Sequence, residues 1–219
     1  MSKTRSSFDR LALVTLIVFS VFALGLLVFA RLRASHDGVL NPLPVISQVP
    51  AFTLTNELGR TVTRADLRGQ VWVADIIFTR CAGPCPRMTQ KLSDLQNAVP
   101  RELPVKLVTL TTDPEFDQPA ILKAYGGRFG ADFHRWMFLT GAKLEIAKVA
   151  ADGLKLSALE KPPAQRTNAD DLFIHSTMFV VVDKAGRVRG VYESTGEGVN
   201  WSEVRPKLLA DVRQLAREK

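Results

Sequence analysis

Residues 71–86 read Val71-Trp72-Val73-Ala74-Asp75-Ile76-Ile77-Phe78-Thr79-Arg80-Cys81-Ala82-Gly83-Pro84-Cys85-Pro86. The run Val71 to Phe78 is nearly continuous apolar, which suits a strand buried on both faces of a sheet. Beyond the turn, Met88, Leu92, Leu95 and Val99 recur at helical spacing over Pro86 to Ala98, and Pro84 sits where a first-turn proline is tolerated. The only two cysteines of the 219-residue chain therefore sit on a strand-to-helix turn, four residues apart. A pair placed there can share a disulfide or bind one soft metal ion. The three residues between them differ from the two of the C-x-x-C redox motif.

Working outward, strands and helices alternate. Phe52 to Thr55 and Thr61 to Thr63 read as a hairpin around Asn56-Glu57-Leu58-Gly59. Leu103 to Thr111 is the next strand, followed by a helix that starts at Asp117-Gln118-Pro119 and ends at Gly126-Gly127. Trp136 to Leu139, a helix over Ala142 to Ala151, the strand Thr177 to Asp183, a turn at Lys184-Ala185-Gly186 and the strand Arg187 to Tyr192 follow. A last helix over Arg205 to Ala216 puts Leu208, Val212 and Leu215 on one face. The alternation predicts an α/β fold with a mostly parallel sheet and helices on both sides. In such sheets the reactive site lies at the carboxyl ends of the strands, where the cysteine turn falls.

At the N-terminus, Leu11 to Ala30 holds twenty residues without a charge. As a helix this rises about 30 Å, the hydrocarbon thickness of a bilayer. A transmembrane helix is preferred to a cleaved signal peptide, because the run exceeds the roughly 7 to 15 apolar residues usual for such peptides. No cysteine follows the run, which excludes a lipoprotein anchor. The flanking charges set the orientation only weakly, with the N-terminus inside. Residues 1–10 are then cytoplasmic, 11–30 cross the inner membrane of a bacterium, 31–50 form a Pro-containing linker, and 51–219 form one domain on the periplasmic side. Thiols there tend to oxidise.

The formal net charge is +7, but residues 1–33 hold five basic side chains and one acidic, leaving only +3 for the other 186. Without a basic patch in the folded part, nucleic acid is excluded as a partner.

The C-x-x-x-C-P turn after a buried strand, the segment Thr111-Thr112-Asp113-Pro114-Glu115-Phe116-Asp117-Gln118-Pro119, and His175-Ser176-Thr177 before Met178 to Asp183 resemble the Sco/SenC family over residues 50–217. The resemblance implies a thioredoxin-like fold and a membrane-anchored copper chaperone of cytochrome c oxidase assembly rather than an enzyme. It implies copper ligands at Cys81, Cys85 and His175. Family members often carry Asp before that His, where Ile174 stands here. The implied partners are the copper-acceptor subunit of a haem-copper oxidase and a protein that donates copper or reduces the thiols.

The donor chemistry agrees with that implication. Two thiolates and an imidazole form a soft set suited to Cu(I) that can also hold Cu(II). Arg80 and Arg87 flank the pair and Cys85 lies near a helix N-terminus, which favours thiolate over thiol. Arg80 and Asp113 are candidates for support around the ligands, Asp113 either orienting the site or capping the turn before Pro114. Met88 belongs to the core by its spacing, and His134 and His36 to loop and linker.

Bland readings stand beside these. Two cysteines can be a structural disulfide or inert core, and a lone histidine before a strand is more often hydrogen-bonded structure than a ligand. The functional rival is a thiol-disulfide oxidoreductase using Cys81 and Cys85 alone. Ile174-His175-Ser176-Thr177-Met178 lacks the cis-proline that thioredoxins place there. A peroxidase would need Pro-x-x-x-Thr-x-x-Cys, and a binuclear copper centre would continue with His and Met where Thr89 and Leu92 stand. The polar insertion Leu159 to Asp171 precedes His175 and is expected to order on docking or metal binding.

Overall fold

The computed structural model describes residues 5–36, 42–166 and 172–218, as two separate compact units, residues 1–42 and 43–219. The first is one helix, α1 (Arg5–His36). Its described side chains, residues 12–28, are apolar almost throughout and all exposed. Among the described residues no helix is long and apolar enough to cross a membrane. The span expected over 11–30 runs past both ends of that described stretch.

The second unit is built on an eight-stranded sheet. In chain order its strands are β1 (Ser47–Gln48), β2 (Thr53–Asn56), β3 (Thr61–Thr63), β4 (Val71–Ile77), β5 (Val105–Thr111), β6 (Trp136–Thr140), β9 (Met178–Val182) and β10 (Arg187–Glu193), while β7 (Ala158–Glu160) and β8 (Phe173–His175) form a separate hairpin. The helices are α2 (Cys85–Ala98), α3 (Pro119–Arg128), α4 (Lys143–Lys148) and α5 (Trp201–Arg217).

Spatially the sheet runs β1-β10-β9-β4-β5-β6-β2-β3. Only β4 with β5 and β5 with β6 are parallel, and every other neighbour is antiparallel. This corrects the expected mostly parallel sheet. Loop length dictates two of the antiparallel pairs, β2–β3 and β9–β10, because the turns at Leu58-Gly59 and Lys184-Ala185-Gly186 are too short for a crossover and can only reverse the chain, while β1–β10, β2–β6 and β4–β9 join strands distant in sequence.

Every residue of β4 is buried. Alternation sends Val71, Val73 and Ile77 to one face, against Cys85, Met88, Leu92 and Leu95 of α2, Leu122 and Tyr125 of α3, and Leu208, Val212 and Leu215 of α5. Trp72, Ala74 and Ile76 point the other way, against Phe52, Ile146, Val149 and Leu154. Each fully buried aliphatic side chain contributes about 2 kcal/mol by leaving water. The expected helices on both faces are present, and Met88 is fully buried.

Several boundaries differ from expectation. The linker does not reach residue 50, because β1 pairs with β10 and Val49 is fully buried. Helix α3 continues through Gly126 and Gly127 to Arg128. A Cβ on Gly126 would stand 2.6 Å from Phe138 Cε2, so that glycine admits a close approach instead of ending the helix. Helix α4 passes into a π-helical turn, Val149–Leu154, that ends at Lys155 with φ +60°. Helix α5 starts at Trp201, where the Asn200 side chain accepts the Ser202 N–H at 3.2 Å, and it carries Pro206 inside.

Candidate metal centre

The site begins where β4 stops. Cys81 N–H donates to Phe78 O at 3.2 Å, turning the chain, and Cys81 Sγ accepts Gly83 N–H at 3.3 Å. Helix α2 then starts at Cys85, with Pro84 and Pro86 at its first positions. The two thiols are free of a disulfide. Cys81 is half-buried and Cys85 fully buried, so the outer sulfur meets solvent and the inner one belongs to the core.

That asymmetry corrects the expected ease of forming thiolate. Burial pushes the Cys85 thiol far above its ordinary value, the hydrogen bond and charge of Cys81 and the Asp75 carboxylate add to the rise, and the Phe78 main chain only partly opposes it. Arg80 does not supply the offsetting charge, because its Nη2 lies 2.6 Å from Asp113 Oδ2 and its guanidinium sits 4.2 Å above the Phe116 ring. Arg87 is exposed on α2.

Asp113 stands in the turn after β5. Its carboxylate takes Arg80, while its main-chain oxygen accepts the N–H groups of Phe116 at 3.1 Å and Asp117 at 2.8 Å, closing the turn after β5. Beneath lies Asp117, fully buried. It accepts Thr79 N–H at 3.1 Å, the Thr79 hydroxyl, and Thr111 Oγ1 at 2.5 Å. Burial raises its pKa, the hydrogen bonds from Thr111 and Thr79 oppose that, and the Asp113 charge adds to it.

Two further buried groups escaped sequence reasoning. Asp75 is fully buried in β4, and alternation places it on the face that packs α2. The Tyr125 hydroxyl lies 2.8 Å from Thr89 Oγ1, which donates to Cys85 O at 2.9 Å. Burial raises the Tyr125 pKa, with Cys85 and Asp75 contributing. A lone Asp inside an apolar run was the available signal for the first, and Tyr125 gave none.

His175 ends β8, paired with Ala158 of β7. Its backbone is described and its side chain lies outside the described residues, so its expected ligation remains a proposal. What brings its strand to the cysteines is Phe173, two residues earlier, whose ring meets Phe78 edge-on at 5.1 Å. Phe173, Leu172 and Cys81 all pack against the core cluster that contains Cys85. Across the hairpin, Glu160 takes Lys143 of α4 at 3.0 Å and Arg166 at 3.2 Å. Lys143 and Arg166 hold the exposed Glu160 carboxyl below its ordinary value, the Lys143 hydrogen bond acting most. Residues 167–171 of the polar insertion fall outside the described residues. Among the described residues no group of three potential ligands is assembled, a set that does not include the His175 side chain. His134 is exposed, as expected for a loop residue, and the His36 side chain is not among those described.

Comparison with known proteins converges on one family. Residues 45–205 match the SCO1/SenC family. The SCO1 protein homolog of Bacillus subtilis (strain 168) is 36% identical over 147 residues, 66% of this chain and 73% of that one. Among solved structures, BsSco, a member of the Sco family of cytochrome c oxidase assembly proteins in which a disulfide switch was identified, is 30% identical with a TM-score of 0.66, covering 82% of this chain and all of that one. Bradyrhizobium japonicum ScoI, solved with copper bound, shares the fold at a TM-score of 0.64 and 24% identity, covering 77% of this chain and 99% of that one.

Proposed function

The chain belongs to the SCO1/SenC family, and from that premise we propose that it is a membrane-anchored copper chaperone which holds copper through Cys81, Cys85 and His175 and hands it to the binuclear copper subunit of a haem-copper oxidase. One observation carries this reading most: the Phe78–Phe173 contact brings the strand that ends in His175 against the turn that bears both thiols. Two sulfurs and one imidazole make a soft three-donor set that leaves a position open to an incoming ligand.

Cys81 and Cys85 differ in their access to solvent, and that difference gives a sequence of events. An acceptor thiolate reaches copper from the side of Cys81, while Cys85 and His175 retain the ion until exchange is complete. Loading displaces the proton that burial keeps on Cys85, so uptake releases protons and strengthens as pH rises. The pair Arg80–Asp113 and the buried Asp117 keep the turn in shape while ligands exchange.

The anchor is the apolar stretch of residues 11–30, with the domain on the periplasmic side of the inner membrane. To test delivery, the Cu(I)-loaded chain is mixed anaerobically with the apo acceptor domain. After the two proteins are separated, copper should be found in the acceptor fraction with wild type and not with Cys81→Ser. Equal copper in the acceptor with both would refute delivery by this site.

A second reading, thiol-disulfide exchange on the acceptor's cysteines, draws on the exposed-outer, buried-inner arrangement of the two sulfurs. Cys81 thiolate would attack an acceptor disulfide, and Cys85 would then close the Cys81–Cys85 bond, the acceptor leaving with two electrons and two protons. That reaction does not use His175.

A further inference from the structure

A cavity of about 360 Å³ opens at the far end of β4 from the cysteine turn, between Ala51–Thr53, the short 3-10 turn Arg64–Leu67 and the β9–β10 turn at Lys184-Ala185-Gly186. Its floor is apolar, made by the buried rings of Phe52 and Trp72 with Leu67. Its rim carries three cations, Arg64, Arg68 and Lys184. Arg64 Nη1 donates to Val49 O at 2.7 Å and Lys184 Nζ to Glu218 O at 2.5 Å. Both acceptors are neutral carbonyls. Among the described residues none of the three cations forms an ion pair. The neighbouring carboxylates are engaged elsewhere: Asp66 takes Thr63 N–H and Oγ1 at 2.7 Å, Glu145 takes Thr53 N–H at 3.3 Å, and Asp183 takes Arg187 and Arg189.

We propose that this cavity binds the phosphate headgroup of an anionic phospholipid, with the phosphate oxygens on Arg64, Arg68 and Lys184 and the first carbons over Phe52, Leu67 and Trp72. Guanidinium groups suit phosphate because their paired N–H donors match two oxygens at once. An apolar floor under a cationic rim suits an amphiphile better than a free anion, which would gain nothing from the rings. One wall is formed by Ala51–Thr53, the chain just after Val49. The assignment rests on the anchored reading only for bringing a bilayer within reach. Docking here would hold the domain with the cysteine end of β4 pointing away from the lipid, free for an acceptor.

The test uses the full chain in nanodiscs of phosphatidylcholine or of equimolar phosphatidylcholine and phosphatidylglycerol, with amide hydrogen exchange read over residues 63–69 and 183–187. Each rim cation should contribute about fivefold in affinity. Protection should rise in the mixed discs alone, and Arg68→Gln with Lys184→Gln should abolish it. The control pair Arg101→Gln and Lys123→Gln should not, and equal loss there would mean diffuse charge and overturn the site. The same protection from inorganic phosphate in phosphatidylcholine discs would overturn the lipid assignment, and no protection anywhere would overturn the site altogether. If the chain does not enter the discs, the anchor reading fails by itself. Flotation with vesicles of the same mixture then decides the cavity: binding by wild type and not the double variant upholds it, and binding by neither overturns it.

Discussion

Asp117 accepts the main-chain N–H of Thr79 at 3.1 Å, two residues before Cys81. Because the same carboxylate takes Thr111 Oγ1 at 2.5 Å, one buried side chain ties the end of β4 to the end of β5 beneath the cysteine turn. Asp117→Ala leaves one N–H and two hydroxyls without that acceptor and should cost about 2–3 kcal/mol in a urea melt. Cu(I) affinity measured against a chelator should fall with it. Asp117→Asn keeps one acceptor oxygen and should lose less on both counts.

The Phe78–Phe173 pair joins the two halves of the proposed copper site. Such ring pairs contribute about 0.5–1.5 kcal/mol beyond burial. Phe173→Leu keeps most of the apolar volume and removes the edge contact, so it should lower Cu(I) affinity by up to about tenfold. Hydrogen exchange over residues 158–160 and 173–176 should quicken in the same variant while α2 stays protected. Unchanged affinity would separate the hairpin from the site.

Asp183 and Arg189 form a buried pair, 2.8 Å apart, and Arg187 adds a second bond to the same oxygen at 2.8 Å. Burial pushes the Asp183 carboxyl up. The Arg187 N–H, the two guanidinium groups and the Ala185 N–H together outweigh it and hold the pKa below the ordinary 3.8. The depressed folded value means that the stabilisation is complete above 3.8 and is lost as pH falls through the lower folded value. An acid titration of stability should show this loss in wild type and lack it in Asp183→Asn. At neutral pH that variant should be less stable by about 3 kcal/mol, because Arg189 keeps its buried charge without its main partner.

Gly126 lies in α3 against Phe138, which stacks on Trp136 at 5.0 Å. Gly126→Ala improves helix propensity by about 1 kcal/mol. It also drives a Cβ to 2.6 Å from a ring that is itself fully buried. Overpacking of this kind costs about 1–3 kcal/mol, so the variant should melt at or below the wild-type temperature rather than above it.

How much of this was legible in the chain follows from the range of each signal. The strand Val71–Ile77 and the helix Cys85–Ala98 announce themselves because their apolar positions follow one period for several residues. The strand Ser47–Gln48 has two residues and no period, so the linker reads four residues too long. The antiparallel majority of the sheet depends on which strands pair, which no local pattern records. The strands Ala158–Glu160 and Phe173–His175 have three residues each, too few for a period, and their attachment through Phe173 is visible only in three dimensions. For the candidate site, the cysteines and their turn were readable from position, whereas the state of Cys85 was not. In the sequence Arg80 and Arg87 flank its turn, but its neighbours in space are Asp75, Cys81 and the core.

The central claim is that His175 completes a copper site with Cys81 and Cys85. Its most direct test is an anaerobic Cu(I) titration of the reduced full chain beside His175→Ala, both under competition from a chelator of known affinity. The account predicts that the variant binds at least tenfold more weakly, about 1.4 kcal/mol, with both thiols still titratable. Equal affinity in the two proteins would contradict it and leave thiol-disulfide exchange as the function of the pair.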